Sequence, residues 1–175
     1  MSTRKLQSSD FQHSFKDGQN AEKLFATMAE ARGYKTILPT LQQDIKSHID
    51  LIIEKDGRTI TVDIKAMKRI SRGKRDNSSG KSSNVHWIEL KNVQGKPGWI
   101  YGEQDLLAFE TETNFILVPR TELRDYITAT VSVVSRVHSP TQAYQKLYSR
   151  KGRADLITTL KNEDLLLLSH KLWTK

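Results

Sequence analysis

The sequence contains no cysteine, which excludes disulfide bonds, thiolate metal sites and cysteine nucleophiles. It also lacks any uninterrupted apolar run of the ~18 residues that a membrane-spanning helix needs. Residues 1–16 are polar and have no apolar segment of the kind that a signal peptide requires. Together these absences favour a protein that works in a reducing cytoplasm and not in a membrane.

The composition is that of a folded chain with an excess of positive charge. Of the 175 residues, 37% are hydrophobic and 27% are charged, which favours one globular domain over a disordered chain. Lysine and arginine number 28 against 20 acidic residues, for a formal net charge of +8. Such an excess favours a polyanionic partner, most often nucleic acid.

Residues 48–65 predict a β-hairpin. Its turn signal is the dipeptide Asp-Gly at 56–57, because a type I′ turn needs positive φ at both central residues. Symmetric pairing about this turn places Asp50 opposite Asp63. Opposed residues have Cβ atoms roughly 5 Å apart, so two like charges there repel unless a cation lies between them. Two hard oxygen ligands on a rigid ribbon suit Mg²⁺ or Mn²⁺.

The same hairpin has one apolar face and one polar face, because side chains alternate along a strand. The apolar face comprises Ile49, Leu51, Ile53, Ile60, Val62 and Ile64. We expect it to pack on a core. The polar face adds His48 and Lys65, paired with each other, to the two aspartates, and we expect it to meet solvent, a metal or a substrate.

The segment before the hairpin predicts an amphipathic helix over 16–32, ended by Gly33 in a left-handed conformation. Its buried stripe comprises Ala21, Leu24, Phe25, Met28 and Ala29. Glu22 lies at the border of this stripe, where a solvated glutamate is common. Its position just upstream of two paired carboxylates also makes it a candidate site residue.

The segment after the hairpin, 68–84, predicts a mobile basic loop rich in glycine, serine and asparagine. Its cations are Lys68, Arg69, Arg72, Lys74, Arg75 and Lys81. Such a loop either stays solvated or grips DNA phosphates. Its start, three residues after Lys65, favours DNA. A second basic cluster occupies 149–153.

The remaining elements are predicted from periodicity and turn residues. Strands are expected at 34–38, 85–92, 106–109, 115–118 and 155–160. Helices are expected after Thr121, at 144–148 and from Asp164 to Leu172, with a loop at 42–47 and either helix or strand at 128–137.

The candidate site residues follow a recognisable order. A glutamate lies on the first helix, an aspartate lies at the start of a strand, and Asp-x-Lys lies on the next strand. This pattern resembles the active site of the PD-(D/E)xK nuclease superfamily, over residues 16–118, with Ile49 in the usual place of the proline. The later part, from Trp87 to Arg120, also resembles small phage-encoded or bacterial members. The resemblance implies a restriction-endonuclease-like α/β core with a central mixed β-sheet flanked by helices. We expect a single nuclease-like domain over 16–175 after a flexible arm at 1–15.

The resemblance further implies a Mg²⁺-dependent DNA endonuclease that hydrolyses phosphodiester bonds, with Mn²⁺ as a substitute. The implied catalytic set is Glu22, Asp50, Asp63 and Lys65. The three carboxylates and the backbone carbonyl of Ile64 would hold the metal, and Lys65 would orient or activate the water. His48 and the loop cations would contact DNA. The cytoplasm of a bacterium or of a phage-infected host is the expected location.

Several alternatives remain open. One is a structure-specific nuclease such as a Holliday-junction resolvase, which would act as a homodimer. RNA cleavage is another, and a non-catalytic basic DNA-binding protein on the same fold is a third. A rival catalytic register uses Glu89 and Lys91 with Asp63 as the first aspartate, and either residue is also a candidate to line the cleft. The hairpin is also compatible with a plain surface ribbon in which Lys65 forms an ordinary salt bridge.

Overall fold

The computed structural model describes residues 4–70 and 80–175, with side chains from residue 12 onward except at 132, 133 and 135. The helices are α1 (Arg4–Ala31), α2 (Leu41–Ser47), α3 (Arg120–Thr130) and α4 (Asn162–Leu165), with short 3-10 helices at Trp99–Tyr101 and Pro140–Gln142. The strands are β1 (Lys35–Ile37), β2 (Leu51–Lys55), β3 (Arg58–Lys65), β4 (Lys68–Arg69), β5 (Lys81–Ser82), β6 (Val85–Lys91), β7 (Leu106–Glu110), β8 (Asn114–Pro119), β9 (Ser132–Val137), β10 (Lys146–Tyr148), β11 (Leu156–Lys161) and β12 (Lys171–Thr174).

A six-stranded sheet forms the centre of the fold, in the order β1-β2-β3-β7-β8-β12. Strands β3 and β7 run parallel, and the other neighbours run antiparallel. The predicted class, α/β with a central mixed sheet flanked by helices, is therefore confirmed. The hairpin β2–β3 lies within this sheet, next to the parallel junction.

The two faces of this sheet carry separate hydrophobic clusters. On one face, Phe25 of α1 stacks on Trp173 of β12, with ring centroids 4.9 Å apart. On the other face, Leu107 and Phe109 of β7 pack in a cluster with Leu123 of α3. Because side chains alternate along β7, neighbouring residues of one strand supply both cores.

A second sheet, in the order β6-β11-β10-β9, covers the second cluster. Ile88 of β6, Leu147 of β10 and Leu160 of β11 are buried in that cluster. Alternation then places the residues next to them in sequence on the opposite face of the second sheet. That outer face carries Trp87 and Tyr148.

Helix α1 begins at Arg4 and is 28 residues long, so residues 4–15 are helical where the sequence predicted a flexible arm. The chain has neither proline nor glycine before Gly18, so it contains no strong helix breaker there. In the described parts of the chain, no helix is both long and apolar enough to cross a membrane. The single-domain boundary at residue 16 stays a prediction.

Helix α2 occupies the segment that was predicted as a loop. Thr40 and Gln43 form a capping box, in which Gln43 N donates to Thr40 Oγ1 at 3.3 Å and Thr40 N donates to Gln43 Oε1 at 2.9 Å. Thr-x-x-Gln is a known helix-start pattern, so the loop prediction missed a readable signal. The helix ends at His48, whose φ of 55° is left-handed.

Two helices predicted near the C-terminus are replaced mainly by strands. The segment 144–148 contains β10, and the predicted terminal helix is reduced to α4, followed by β12. Strand β12 pairs with β8 and buries Trp173 beneath α1. Completing a sheet edge outweighed the local helical pattern, as tertiary context often does. The ambiguous segment 128–137 is helical to Thr130 and extended from Ser132.

Candidate active site

The β2–β3 hairpin has the predicted turn and register. Leu51 pairs with Val62, and the following pairs keep the same symmetry about the turn. Asp56 and Gly57 have φ values of 51° and 74°, as a type I′ turn requires. The apolar face packs against α1 as predicted, with Leu51, Ile53, Val62 and Ile64 in its buried cluster.

Asp50 lies directly before β2 and is tied to β3 by two hydrogen bonds. Its backbone N–H donates to the Val62 carbonyl at 2.9 Å, and its Oδ2 accepts from the Ile64 N–H at 2.6 Å. The carboxylate therefore takes the place of a main-chain acceptor at the end of the ladder. Its position is set by the hairpin itself.

Asp50 and Asp63 face each other closely enough to influence each other's charge. Asp63 is only 1% exposed. Burial, and then the negative charge of Asp63, raises the pKa of Asp50 to about 7, against the opposing effects of Lys65 and the Ile64 N–H. The Asp50 carboxyl therefore changes between its protonated and ionised forms near neutral pH. Two ionised carboxylates here are costly without a cation beside them.

Lys65 is the cation that the structure places beside this pair. Its Nζ lies 2.7 Å from Asp63 Oδ1, and its side chain is 22% exposed. The same Nζ lies 4.4 Å from the centroid of the Trp99 ring. The ammonium is thus held between a buried carboxylate and an aromatic face, with access to solvent.

The polar face of the hairpin is more buried at this end than the sequence predicted. The 3-10 helix at Trp99–Tyr101 and the turn after it cover Asp63, because β3 pairs with β7 just beyond them. Further along the same face, Thr61 N donates to Asp105 Oδ2 at 2.9 Å. The site therefore reaches solvent at Lys65, whereas Asp63 is closed off on the β7 side.

Gln104 is a site residue that the sequence did not predict. It is 1% exposed, and its Nε2 donates to the Trp99 carbonyl at 2.9 Å and to Asp63 Oδ2 at 3.3 Å. A Cβ atom on Gly102 would lie 2.2 Å from Gln104 Oε1, so the glycine leaves space for the amide. No local pattern marks Gln104, because it reaches Asp63 only through the long-range pairing of β3 with β7.

Glu22 of α1 lies close enough to Asp50 to be affected by its charge. Burial, and then the negative charges of Asp50 and Asp44, raises the pKa of Glu22 to about 7, while Lys65 lowers it. Asp44 lies on α2, so both helices add negative charge to the site. The structure therefore places Glu22 within reach of the charges of Asp50 and Lys65, and its role in the site stays a prediction.

His48 reaches the site by a route other than the predicted one. It was expected on a strand opposite Lys65, but β2 begins at Leu51 and His48 caps α2. Burial, and then the charge of Lys65, lowers the pKa of His48, while Glu89 and Asp50 raise it. The imidazole thus belongs to the charged cleft, although the predicted strand pairing is wrong.

Glu89 also lines the cleft, but from the second sheet. Its strand, β6, is not a neighbour of β3, so Glu89 and Lys91 lack the adjacent-strand geometry that the rival register requires. The charge of Glu89 acts on both His48 and Lys68. A Cβ atom on Gly98 would lie 2.2 Å from the Glu89 carbonyl oxygen, so the chain passes very close to β6 there.

The basic segment is only partly described. Lys68 and Arg69 form β4, which pairs with β5, and Lys81 Nζ lies 2.7 Å from Asp17 Oδ1 of α1. The predicted DNA contacts Arg72, Lys74 and Arg75 lie outside the described residues. Much of the Lys68 side chain is exposed, but its ammonium lies near other charged groups. Burial, then Lys65 and more weakly Arg150, lowers its pKa, while Glu89 and Asp63 raise it.

The donor set at the hairpin suits an open magnesium site better than a closed one. Within 4–70 and 80–175, no group of three or more histidine or carboxylate side chains is arranged to hold a metal ion. Two carboxylates, Asp50 and Asp63, stand together, and Glu22 stands further out. Mg²⁺ commonly uses one or two carboxylates and completes its shell with water and substrate phosphate. The residues present fit that kind of site.

Comparison with known proteins adds little to this picture. No family model matches the sequence, and no curated protein matches it. One solved structure that resembles the chain is that of a bacterial homing endonuclease, I-Ssp6803I. The TM-score is 0.45 at 16% identity, over 63% of this chain and 71% of that one. At this level of similarity, any functional assignment depends on the site itself.

Proposed function

We propose that this protein is a metal-dependent DNA endonuclease of the PD-(D/E)xK type. The observation that carries the proposal is the constellation at the end of the hairpin. Asp50 and Asp63 share one neighbourhood, and Lys65 Nζ lies 2.7 Å from Asp63 Oδ1. This is the acid, acid and lysine arrangement that phosphodiester hydrolysis uses when a divalent metal takes part.

Each residue of the constellation has a distinct task in this reaction. Asp50, Asp63 and the Ile64 carbonyl would hold Mg²⁺, and Glu22 would complete the shell through water. When bound, Mg²⁺ would act as a Lewis acid on the scissile phosphate. The Lys65 ammonium would orient the attacking water and offset the charge that develops on the phosphate oxygens.

The energetics of the pair favour catalysis over simple binding. A protein that only binds DNA gains nothing from two carboxylates held against a phosphate backbone, because like charges repel. Burial and mutual repulsion already raise the pKa of Asp50 to about 7. A divalent cation removes that repulsion, so the pair is better suited to holding a metal than to contacting DNA directly.

The charge around the site supports DNA as the substrate. The net charge of +8 is accompanied by Lys68 and Arg69 immediately after the catalytic strand. Phosphate contacts of this kind supply most of the non-specific affinity of a DNA-binding protein. We therefore place the DNA backbone along β4 and the open end of the hairpin.

A substrate panel tests the proposal. The purified protein is incubated with plasmid, linear duplex, single-stranded and four-way-junction DNA, and with RNA, in Mg²⁺ and in EDTA. We expect cleavage of at least one DNA in Mg²⁺ and none in EDTA. Preference for the junction, with a dimer in size-exclusion chromatography, would indicate a resolvase. Failure to cleave every DNA at any Mg²⁺ concentration would contradict the proposal.

DNA affinity is expected to fall steeply with salt, and the basic segment should account for much of the slope. Neutralising Lys68, Arg69, Arg72, Lys74 and Arg75 together should reduce the slope of log K against log salt by about 0.9 for each phosphate that the protein no longer neutralises. Fluorescence anisotropy in EDTA measures the slope without cleavage. An unchanged slope would show that this segment does not contact the DNA phosphates.

Gln104→Leu is expected to lower cleavage about tenfold and to raise the Mg²⁺ concentration that gives half-maximal rate. The amide donates to Asp63 Oδ2, so its removal frees a carboxylate that should be held in one orientation. DNA binding in EDTA should not change. The matched control is Gln94→Leu, at an exposed glutamine in the turn after β6. An unchanged Mg²⁺ dependence would show that Gln104 does not orient Asp63 for metal binding.

A further inference from the structure

The second basic cluster, 149–153, contains one arginine that differs from its neighbours. Arg150 Nε donates to Asp155 Oδ2, and the Arg150 backbone N–H donates to Asp155 Oδ1 at 2.9 Å. The Asp155 side chain is 0% exposed, whereas that of Arg150 is 40% exposed. A buried carboxylate therefore fixes the guanidinium while part of it faces solvent. Lys151 and Arg153 are exposed.

Tyr148, two residues before this arginine, belongs to an aromatic pair. Trp87 of β6 and Tyr148 of β10 lie on the outer face of the second sheet, with ring centroids 6.1 Å apart and ring planes 33° apart. Both residues are half-buried. Trp87 Nε1 donates to the Arg69 carbonyl at 3.2 Å, which fixes the indole. The pair stands on the face opposite the hydrophobic core, so core packing does not explain it.

This pair adjoins the catalytic hairpin. Trp87 and Glu89 share one face of β6, about 7 Å apart along the strand. Glu89 belongs to the charged cleft around His48. The hydrogen bond from Trp87 to Arg69 places the indole against β4, which follows β3 and Lys65 directly. The outer face of the second sheet therefore contacts β4 at Trp87, next to the charged groups around the hairpin site.

We propose that Trp87, Tyr148 and Arg150 form a nucleotide subsite, in which the aromatic pair stacks on an unpaired base and Arg150 binds the adjoining phosphate. The inference rests on the proposed nuclease function and names its substrate class. That class is DNA with unpaired nucleotides beside the scissile phosphate. A base within a duplex has both faces covered by its neighbours, so only an unpaired base can stack on a protein ring.

Binding without metal tests the subsite independently of catalysis. Single-stranded oligonucleotides carrying 2-aminopurine are titrated in EDTA, because stacking on an aromatic ring quenches that base. Trp87→Ala should remove the quenching and weaken single-strand binding about tenfold, with duplex binding unchanged. Trp87→Phe should retain most of both, which separates loss of stacking from loss of packing. Equal weakening for both DNAs, or unchanged quenching in Trp87→Ala, would overturn the proposal.

The role of Arg150 is tested by comparing two arginine-to-lysine substitutions. Arg150→Lys keeps the charge beside Asp155 but loses the planar fork, and it should weaken single-strand binding severalfold. The matched control is Arg153→Lys, at an exposed arginine of the same cluster, which should have little effect. Thermal melts of all variants in the same buffer confirm that they are folded. Equal effects of the two substitutions would show that Arg150 is not part of the subsite.

Cleavage assays distinguish a failure of the subsite proposal from a failure of the proposed nuclease function. In Mg²⁺, the wild type should cut a duplex with three unpaired thymines at least tenfold faster than the matched perfect duplex. Trp87→Ala should bring the two rates together. Cleavage with the same preference in Trp87→Ala would overturn the subsite and leave the nuclease intact. No cleavage of any DNA would overturn the proposed function, while the binding titrations would still decide the subsite.

Discussion

Asp63→Ala and Lys65→Ala are each expected to lower metal-dependent DNA cleavage by ~10³-fold or more, while DNA binding in EDTA stays close to that of the wild type. Removing Asp63 takes away a proposed metal ligand and the partner that holds Lys65 Nζ at 2.7 Å. Removing Lys65 takes away the cation that we propose acts on the scissile phosphate. Neither change removes the basic surface that is proposed to bind the DNA backbone.

The controls for these variants form a pair across β1 and β2, toward the turn end of the hairpin. Glu54→Ala and Lys35→Ala remove an acid and a lysine that lie 4.0 Å apart, with the lysine side chain 73% exposed. Both should cleave like the wild type. A plasmid-nicking assay with and without Mg²⁺ gives the rates, and anisotropy in EDTA gives the affinities. Cleavage by Asp63→Ala and Lys65→Ala at the control rate would refute the catalytic assignment.

Asp50→Asn is expected to abolish cleavage and yet to stabilise the metal-free protein at pH 8. In the folded protein the pKa of Asp50 is raised from 3.8 to about 7, so the folded state holds a proton that the unfolded chain has released. The stability of the wild type therefore falls as pH rises from about 4 to about 7, and it does not recover above that range. Asparagine has no charge to bury and keeps an oxygen for the Ile64 N–H.

The size of this effect can be bounded. The full pKa rise from 3.8 to about 7 corresponds to an upper limit of about 4 kcal/mol. Because Asp50 is only partly buried, solvent screening should reduce the gain at pH 8 to roughly 1–3 kcal/mol. Thermal melts in EDTA at pH 4 and pH 8 measure it, and the difference should vanish at the lower pH. Lower stability of Asp50→Asn than of the wild type at pH 8 would show that the two carboxylates do not repel each other.

Local patterns were sufficient to predict the hairpin that carries the candidate site residues. The Asp-Gly turn and strict alternation of apolar residues set the hairpin register, and that register places Asp63 and Lys65 on one strand with Asp50 at the start of the other. Both signals lie within 18 consecutive residues. Their physical basis, turn geometry and the pleat, does not depend on the rest of the chain.

The remaining features of the site depend on distant parts of the chain. Gln104 and Trp99 meet Asp63 and Lys65 only because β7 pairs in parallel with β3. The second sheet brings Glu89 to the cleft from a strand that is not adjacent to the hairpin. His48 was misplaced for a local reason, since the capping box at Thr40 starts a helix that ends at that histidine. Long-range pairings of this kind leave no periodic trace in the sequence.

Diffraction from crystals soaked in Mn²⁺ tests the central claim most directly, because anomalous scattering locates the ion without reference to activity. We expect a peak about 2.1 Å from one carboxylate oxygen each of Asp50 and Asp63, with Lys65 Nζ moved away from Asp63. The peak should be absent from Asp63→Ala crystals soaked in the same way. No peak between the two aspartates in the wild type, at Mn²⁺ concentrations that support cleavage, would contradict the metal-dependent mechanism.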